Sequence, residues 1–253
     1  MDEIITEHSG SILRVELNRP AKRNAMTSSM YTTLADVFND AAKDERTRVV
    51  LWHGAGDSFC AGNDVDDFLK NPPGAGDSPQ ARLMNALLDF GKPLIAAVQG
   101  AAIGGGTTML THCDFVYAGE SAKFQMPFIN LAVVPEFGSS CTVPARIGHI
   151  RAAELILLGL LFDARRAADL GFVTQVVPDH DVLATAAKPA GALQASKRLM
   201  KGPFREQIKA AMRAENEEFS KRVRSDDAKE ALAAFLEKRR PDFNRTLKPA
   251  TAA

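Results

Sequence analysis

An excess of charge of either sign is missing from this chain. It carries 31 basic and 31 acidic side chains in 253 residues, and no tract of like charge exceeds a few residues, which argues against a nucleic-acid or anionic-membrane surface. Cysteine is scarce. Cys60, Cys113 and Cys141 are odd in number and lack metal-site spacing, so the expectation is a reduced, cytoplasmic setting with buried thiols and no disulfide framework. The five histidines, His8, His53, His112, His149 and His180, make no metal-like pairing, so no metal is expected. Long apolar runs are absent too: the most apolar window, 155–162, is far too short to span a bilayer. Residues 1–10 carry Asp2, Glu3 and Glu7 with no apolar run behind them, unlike a secretory signal, and the terminal Thr-Ala-Ala is not a peroxisomal address. There is no long internal repeat. The length suits one substantial α/β domain, or such a core with a small appendage.

What the chain does have is glycine in a telling place. An apolar strand expected over 94–98 runs into Gly104, Gly105 and Gly106, followed by a helix expected over 107–111. Three glycines there cost helix stability, and glycine is tolerated where a backbone must approach something closely. A helix start offers amide N–H groups without intrahelical partners, so such a turn either packs tightly or presents donors to an oxyanion. Phosphate cradling by these loops is not expected. The span 100–107 has P-loop spacing, but Gly106 stands where lysine is needed, and neither Gly54-Ala-Gly56 nor Gly74-Ala-Gly76 gains the third glycine of a dinucleotide fingerprint.

Taken in order, alternation over 12–17 predicts a half-buried strand, pairing with 4–7 through Ser9-Gly10. Thr27 caps a helix to about residue 43 whose core stripe is Met30, Leu34, Val37, Phe38 and Ala41. A strand over 49–52, a glycine-rich loop over 54–64, a helical turn over 65–69 and a mobile surface loop over 71–79 precede a helix over 81–90. Further strands are expected over 115–118 and 173–177, with helices over 152–158 and 164–170. This alternation favours right-handed parallel crossovers. From residue 202 charge-rich helices take over, one to about 224, a second capped near Ser225 or Asp226 and stopped by Pro241. They suit covering the domain's own face or packing on another subunit.

If the strands are parallel neighbours, the loop Cys60-Ala61-Gly62-Asn63-Asp64 and the glycine triplet lie at one sheet edge, where ligands of α/β folds collect. Two N–H groups converging there would hold a developing oxyanion, each typically worth about 2.7–4 kcal/mol. Glu136, framed by Leu131, Val133, Val134, Pro135 and Phe137, is the candidate base, because apolar surroundings raise a carboxyl's pKa towards the working pH. The alternative is a glutamate steadying the first turn of a helix that starts at Pro135. Asp64, Asp66 and Asp67 read more simply as helix-start carboxylates, and His112 as a packed residue near a helix end. Ser139, Ser140 and Cys141 lack a base partner, so nucleophilic catalysis is not expected.

Phe59-Cys-Ala-Gly-Asn-Asp64, Gly100-Ala-Ala-Ile-Gly-Gly-Gly106, Cys113-Asp114, Ala122-Lys-Phe124 and Gly171-Phe-Val173 together resemble the crotonase (enoyl-CoA hydratase/isomerase) superfamily, with support from Asn18-Arg-Pro20 to Phe243. The resemblance implies an α/β spiral of ββα units over 1–201 and a helical region over 202–253 that packs at a trimer interface. It implies an acyl-CoA thioester as ligand and partner, no separate cofactor, and a homotrimer or a hexamer made of two trimers. Ala61 and Gly105 would supply the two N–H donors, and Ala21, Lys22 and Gly62, Asn63, Asp64 and Val65 would line the CoA site. Where hydratases of the superfamily carry two catalytic glutamates, this chain has Thr108 and Phe128. Val-Pro-Glu136-Phe-Gly-Ser-Ser instead resembles the peroxisomal-type Δ3,Δ2-enoyl-CoA isomerases, which implies one acid/base and a Phe128 that keeps water out. A weak hydratase acting through Glu136, and a silent acyl-CoA-binding protein, are the alternatives. The helix expected within 182–193 is interrupted by Lys188-Pro189 and Gly191.

Overall fold

The computed structural model describes residues 2–72, 77–186 and 193–243. The first hairpin forms as its alternation predicts: β1 (Ile4–Ser9) and β2 (Ile12–Leu17) pair antiparallel around Gly10, whose φ of +60° suits glycine. The Thr27 hydroxyl accepts the Met30 N–H and starts α1 (Ser28–Lys43), which buries Met30, Leu34, Phe38 and Ala41 on one face. Next come β3 (Val49–Gly54), α2 (Val65–Lys70) and α3 (Pro79–Asp89). Ser78 caps α3, so it starts two residues before its apolar pattern does. Phe38 of α1 meets Trp52 of β3 edge-on at 5.3 Å and Phe90 at 5.4 Å, joining the helical layer to the sheet.

The chain then repeats one move. β4 (Leu94–Val98) lies in the large sheet, and after Gln99 and Gly100 the short β5 (Ala101–Ile103) lies in a small one, ending at α4 (Gly105–Thr108). β6 (Phe115–Gly119) and β7 (Lys123–Gln125) repeat the pattern. Cys60, after β3, makes an isolated parallel bridge to Ala102 of β5, and β5 pairs parallel with β7. Three successive passes are thereby stacked side by side, which is the spiral of repeated units that the sequence motifs imply. α5 (Ser139–Ile147), α6 (His149–Leu157), β8 (Phe162–Asp163), α7 (Ala164–Asp169) and β9 (Gln175–Val177) follow. The large sheet has the order β1-β2-β3-β4-β6-β9, parallel except for the first pair; the small one is β5-β7-β8.

The chain ends in α8 (Val182–Ala186), α9 (Leu193–Lys201), α10 (Arg205–Arg222) and α11 (Asp226–Leu236). Several bounds differ from the sequence reading for local reasons. The glycine helix begins at Gly105 and tightens into a 3-10 turn at Met109. β9 starts at Gln175 because the amides of Phe172 and Val173 close the end of α7 on the Ala167 carbonyl. α11 ends at Leu236, before Pro241, because Lys238 turns left-handed and the Arg239 amide closes on the Ala234 carbonyl. The central parts of the expected loop over 71–79 and of the interrupted helix over 182–193 lie outside the described residues. Among the described residues no helix is long and apolar enough to cross a membrane, and Cys60, Cys113 and Cys141 are free thiols.

Candidate active site

Because Cys60, β5 and β7 are neighbours, the segments that leave them converge on one side. A cavity of about 380 Å³ opens there. Ala61, Gly62, Asn63, Val65, Gly105, Phe128 and Glu136 all line it. Of the sequence-expected site residues, Ala21, Lys22 and Asp64 do not line it. Ala21 and Lys22 sit on an exposed 3-10 turn. Asp64 caps α2, accepting the Asp67 N–H at 3.1 Å, and pairs with Arg19 at 3.0 Å. Asp67 likewise serves structure, accepting the Ser28 N–H at 2.8 Å and its hydroxyl at 2.7 Å.

Glycine is required where the loops meet. A β-carbon on Gly106 would lie 2.4 Å from the Cys60 carbonyl oxygen, so any side chain would push the start of α4 and the Cys60 segment apart. At Gly105 a β-carbon would meet Glu136 Oε1 at 3.1 Å and the Tyr31 hydroxyl at 3.3 Å. The Glu136 carboxyl therefore rests directly against the first residue of α4.

The backbone hydrogen bonds of this loop overturn the expectation that Ala61 is a donor. Ala61 is not a free donor: its N–H goes to the Arg23 carbonyl at 3.0 Å. The Cys60 N–H goes to Ala101 and the Asp64 N–H to Met26, while the Met26 N–H goes to Gly62. In an extended segment successive amides face opposite sides. The Asn63 N–H therefore faces away from Met26, it has no acceptor among the described residues, and Asn63 lines the cavity. Gly105 opens α4, so its N–H has no intrahelical acceptor either. The amides of Asn63 and Gly105 thus lie in the cavity lining without a backbone acceptor among the described residues, which makes them the candidate donors to an oxyanion.

Glu136 is 5% exposed and is the single carboxylate among the described cavity-lining residues. Burial, and then the charge of Glu215, pushes its pKa up to about 8. At the two positions where the resemblance places hydratase glutamates, Thr108 is fully buried in α4 and Phe128 lines the cavity. His112 is a packed residue, with Nε2 at 2.7 Å from the Phe137 carbonyl and a pKa lowered to about 4, chiefly by burial.

Sequence reasoning missed three contributions. Tyr31, on the buried face of α1, donates its hydroxyl to Asn63 Oδ1 at 2.7 Å. Glu215 of α10 accepts the N–H groups of Gly138 and Ser140, each at 2.7 Å. Its signal was present, since Met212, Glu215 and Phe219 share one helical face and put a carboxylate on an apolar stripe. Third, Phe219, Leu232, Phe235 and Pro241 were not singled out as site residues, yet they wall the cavity, so the cover of the domain's own face that the sequence allowed for the C-terminal helices lies over this site.

Residues 7–246 match the family described as enoyl-CoA hydratase/isomerase. The chain belongs to that family. Its fold is the crotonase fold: a crystal structure of an enoyl-CoA hydratase/isomerase from Pseudoalteromonas atlantica T6c superposes with a TM-score of 0.90 at 37% identity, covering 96% of this chain and 100% of that one. Enoyl-CoA hydratase EchA19 of Mycobacterium tuberculosis is 36% identical over 95% of this chain and 96% of its own length. Enoyl-CoA delta isomerase 2 of Rattus norvegicus is 33% identical over 92% of this chain, which spans 63% of that protein. Hydratase and isomerase names both occur among the relatives, so membership identifies an acyl-CoA enzyme of this family.

Proposed function

We propose that the protein is a Δ3,Δ2-enoyl-CoA isomerase with Glu136 as its single acid/base. The observation that carries this reading is the lone carboxyl in an apolar cavity, set against Gly105, with Thr108 and Phe128 at the two hydratase positions. The ionised carboxylate takes a proton from C2 of a 3-enoyl thioester. The electron pair moves onto the thioester oxygen, where the N–H groups of Asn63 and Gly105 hold it. The enolate then collapses, the double bond moves to C2–C3, and C4 takes the same proton back from Glu136. Phe128 and the apolar wall from α10 and α11 exclude the water that hydration would need.

The CoA part of the substrate leaves past the exposed turn of Ala21 and Lys22 and the loop 62–65. Self-association as a trimer or a pair of trimers is supported by exposed apolar residues on and after α6, namely Ile150, Leu157, Leu158 and Leu161. The free thiols suit a cytoplasmic setting.

The test is turnover of a 3-enoyl-CoA by the parent and by Glu136→Gln, with hydration of a 2-enoyl-CoA followed in parallel. Isomerisation that exceeds hydration and drops by orders of magnitude in the variant supports the reading. Hydration exceeding isomerisation would make Glu136 the base of a hydratase. Neither reaction, with acyl-CoA still raising the melting temperature, would leave a binding protein.

A further inference from the structure

The peptide that follows Glu136 has an unusual course. Phe137 and Gly138 are both left-handed, with φ of +60° and +70°. A bulky side chain at positive φ persists only where its surroundings over-determine it. Two groups far apart in sequence do so here. From one side His112 meets the Phe137 carbonyl; a carbonyl can only accept, so Nε2 carries the proton and donates at 2.7 Å. From the other side the Glu215 carboxylate accepts both the Gly138 and the Ser140 N–H, one on each oxygen. Ile208 and Met212, on the same helix, lie 3.0 and 3.2 Å from where a Gly138 β-carbon would stand, so α10 is closed down on this turn.

We propose that Glu215 is a positioning residue for Glu136: by clamping the Phe137–Gly138 turn to α10, it aims the Glu136 carboxyl at the substrate. This rests on Glu136 being the acid/base. The C-terminal region would then do more than cover the site, because a carboxylate 79 positions along the chain fixes the reacting one. Glu215 also contributes negative charge beside the base. The other groups facing Glu136 are Tyr31 of α1 and Cys60 of the loop after β3, both with pKa raised by burial. Arg239, lining the same cavity, has its charge held by Glu230 and Glu237. Among these neighbours Glu215 is the anion that raises the pKa of Glu136.

The experiment compares kcat, KM and pH dependence of 3-enoyl-CoA isomerisation in the parent, Glu215→Gln, Glu215→Asp and Glu136→Gln. Glu215→Gln removes the charge and one of the two acceptors. Its kcat should fall roughly 10- to 100-fold with KM changed only slightly, and the midpoint of its rising pH limb should move down by about half a unit to one unit. Glu215→Asp keeps the charge but falls short of both amides, so its kcat should fall while its midpoint stays. An unmoved midpoint in Glu215→Gln, or a parent-like kcat in Glu215→Asp, overturns the proposal. If Glu215→Gln does not fold, the kcat of Glu215→Asp decides alone. A fast Glu136→Gln would overturn the acid/base reading itself; an inactive Glu136→Gln beside a parent-like Glu215→Gln overturns only the positioning role.

Discussion

Replacing Glu136 by Gln should stabilise the protein increasingly as pH rises, because burying an ionised carboxyl in this cavity works against folding. Its pKa moves from the ordinary 4.5 to about 8 in the folded chain. Below 4.5 both the folded and the unfolded states hold the proton, and the group contributes no difference. Between 4.5 and 8 the unfolded chain releases its proton while the folded chain keeps it, so stability is lost with rising pH across that window and levels off above it. A gap of about 3.5 units at 1.36 kcal/mol each sets an upper bound of roughly 4–5 kcal/mol. Glutamine does not titrate and nearly matches a protonated glutamate in shape. The two proteins should therefore be equally stable near pH 4.5, and at pH 9 the variant should melt on the order of 10 °C higher. The assay is thermal or denaturant unfolding of both proteins at several pH values, without ligand and at one protein concentration. Stability curves that stay parallel from pH 5 to 9, or a variant that loses ground as pH rises, would refute a buried Glu136 with a raised pKa.

The same ionisation should govern turnover: kcat/KM for a 3-enoyl-CoA should rise about tenfold per pH unit below 8 and flatten above it, since the base must be ionised. A flat profile from pH 6 to 9 would mean another group limits the step. Gly105→Ala places a methyl 3.1 Å from Glu136 Oε1, and kcat should fall about 100-fold with the fold retained; parent-like kcat would show that the carboxyl is not held there. Tyr31→Phe removes the donor to Asn63 Oδ1, costing about 1 kcal/mol of stability and about tenfold in kcat/KM. No change in turnover would remove Tyr31 from the support of the Asn63 amide. Lys22→Ala should raise KM for acyl-CoA a few-fold, on the order of 0.5–1 kcal/mol, without changing kcat; an unchanged KM would place the CoA elsewhere.

The sequence showed the elements and the two glycine-bearing loops because those depend on local pattern. Thr27 and Ser225 cap their helices, and the stripe of α1 is buried as its spacing predicts except for Val37, which is half-buried. Glu136 was visible through its apolar frame. The choice between Ala61 and Asn63 was not, because it depends on which edge of one short segment the Arg23 and Met26 backbone occupies. Motif order fixes the neighbourhood of a donor, while register decides which amide is free. Tyr31 was hidden for a related reason: a hydroxyl on a buried helix face gains a role only from the partner opposite it, here 32 positions away.

The C-terminal helices carry the hardest part of the reading. Their charge suggested a cover or an oligomer contact, and α10 does expose most of its polar face. Yet one face brings Phe219 to the cavity wall and Glu215 to the amides beside Glu136. A carboxylate among apolar neighbours is costly unless it is bonded there, and two backbone N–H groups at the start of α5 bond it. Keeping both Glu136 and Glu215 buried also sets two acidic groups against each other, which raises the pKa of Glu136 towards the pH at which the proposed reaction would have it give up and regain a proton. Stability is spent at this one site, and under the proposed isomerisation the gain is a base that can return the proton it takes.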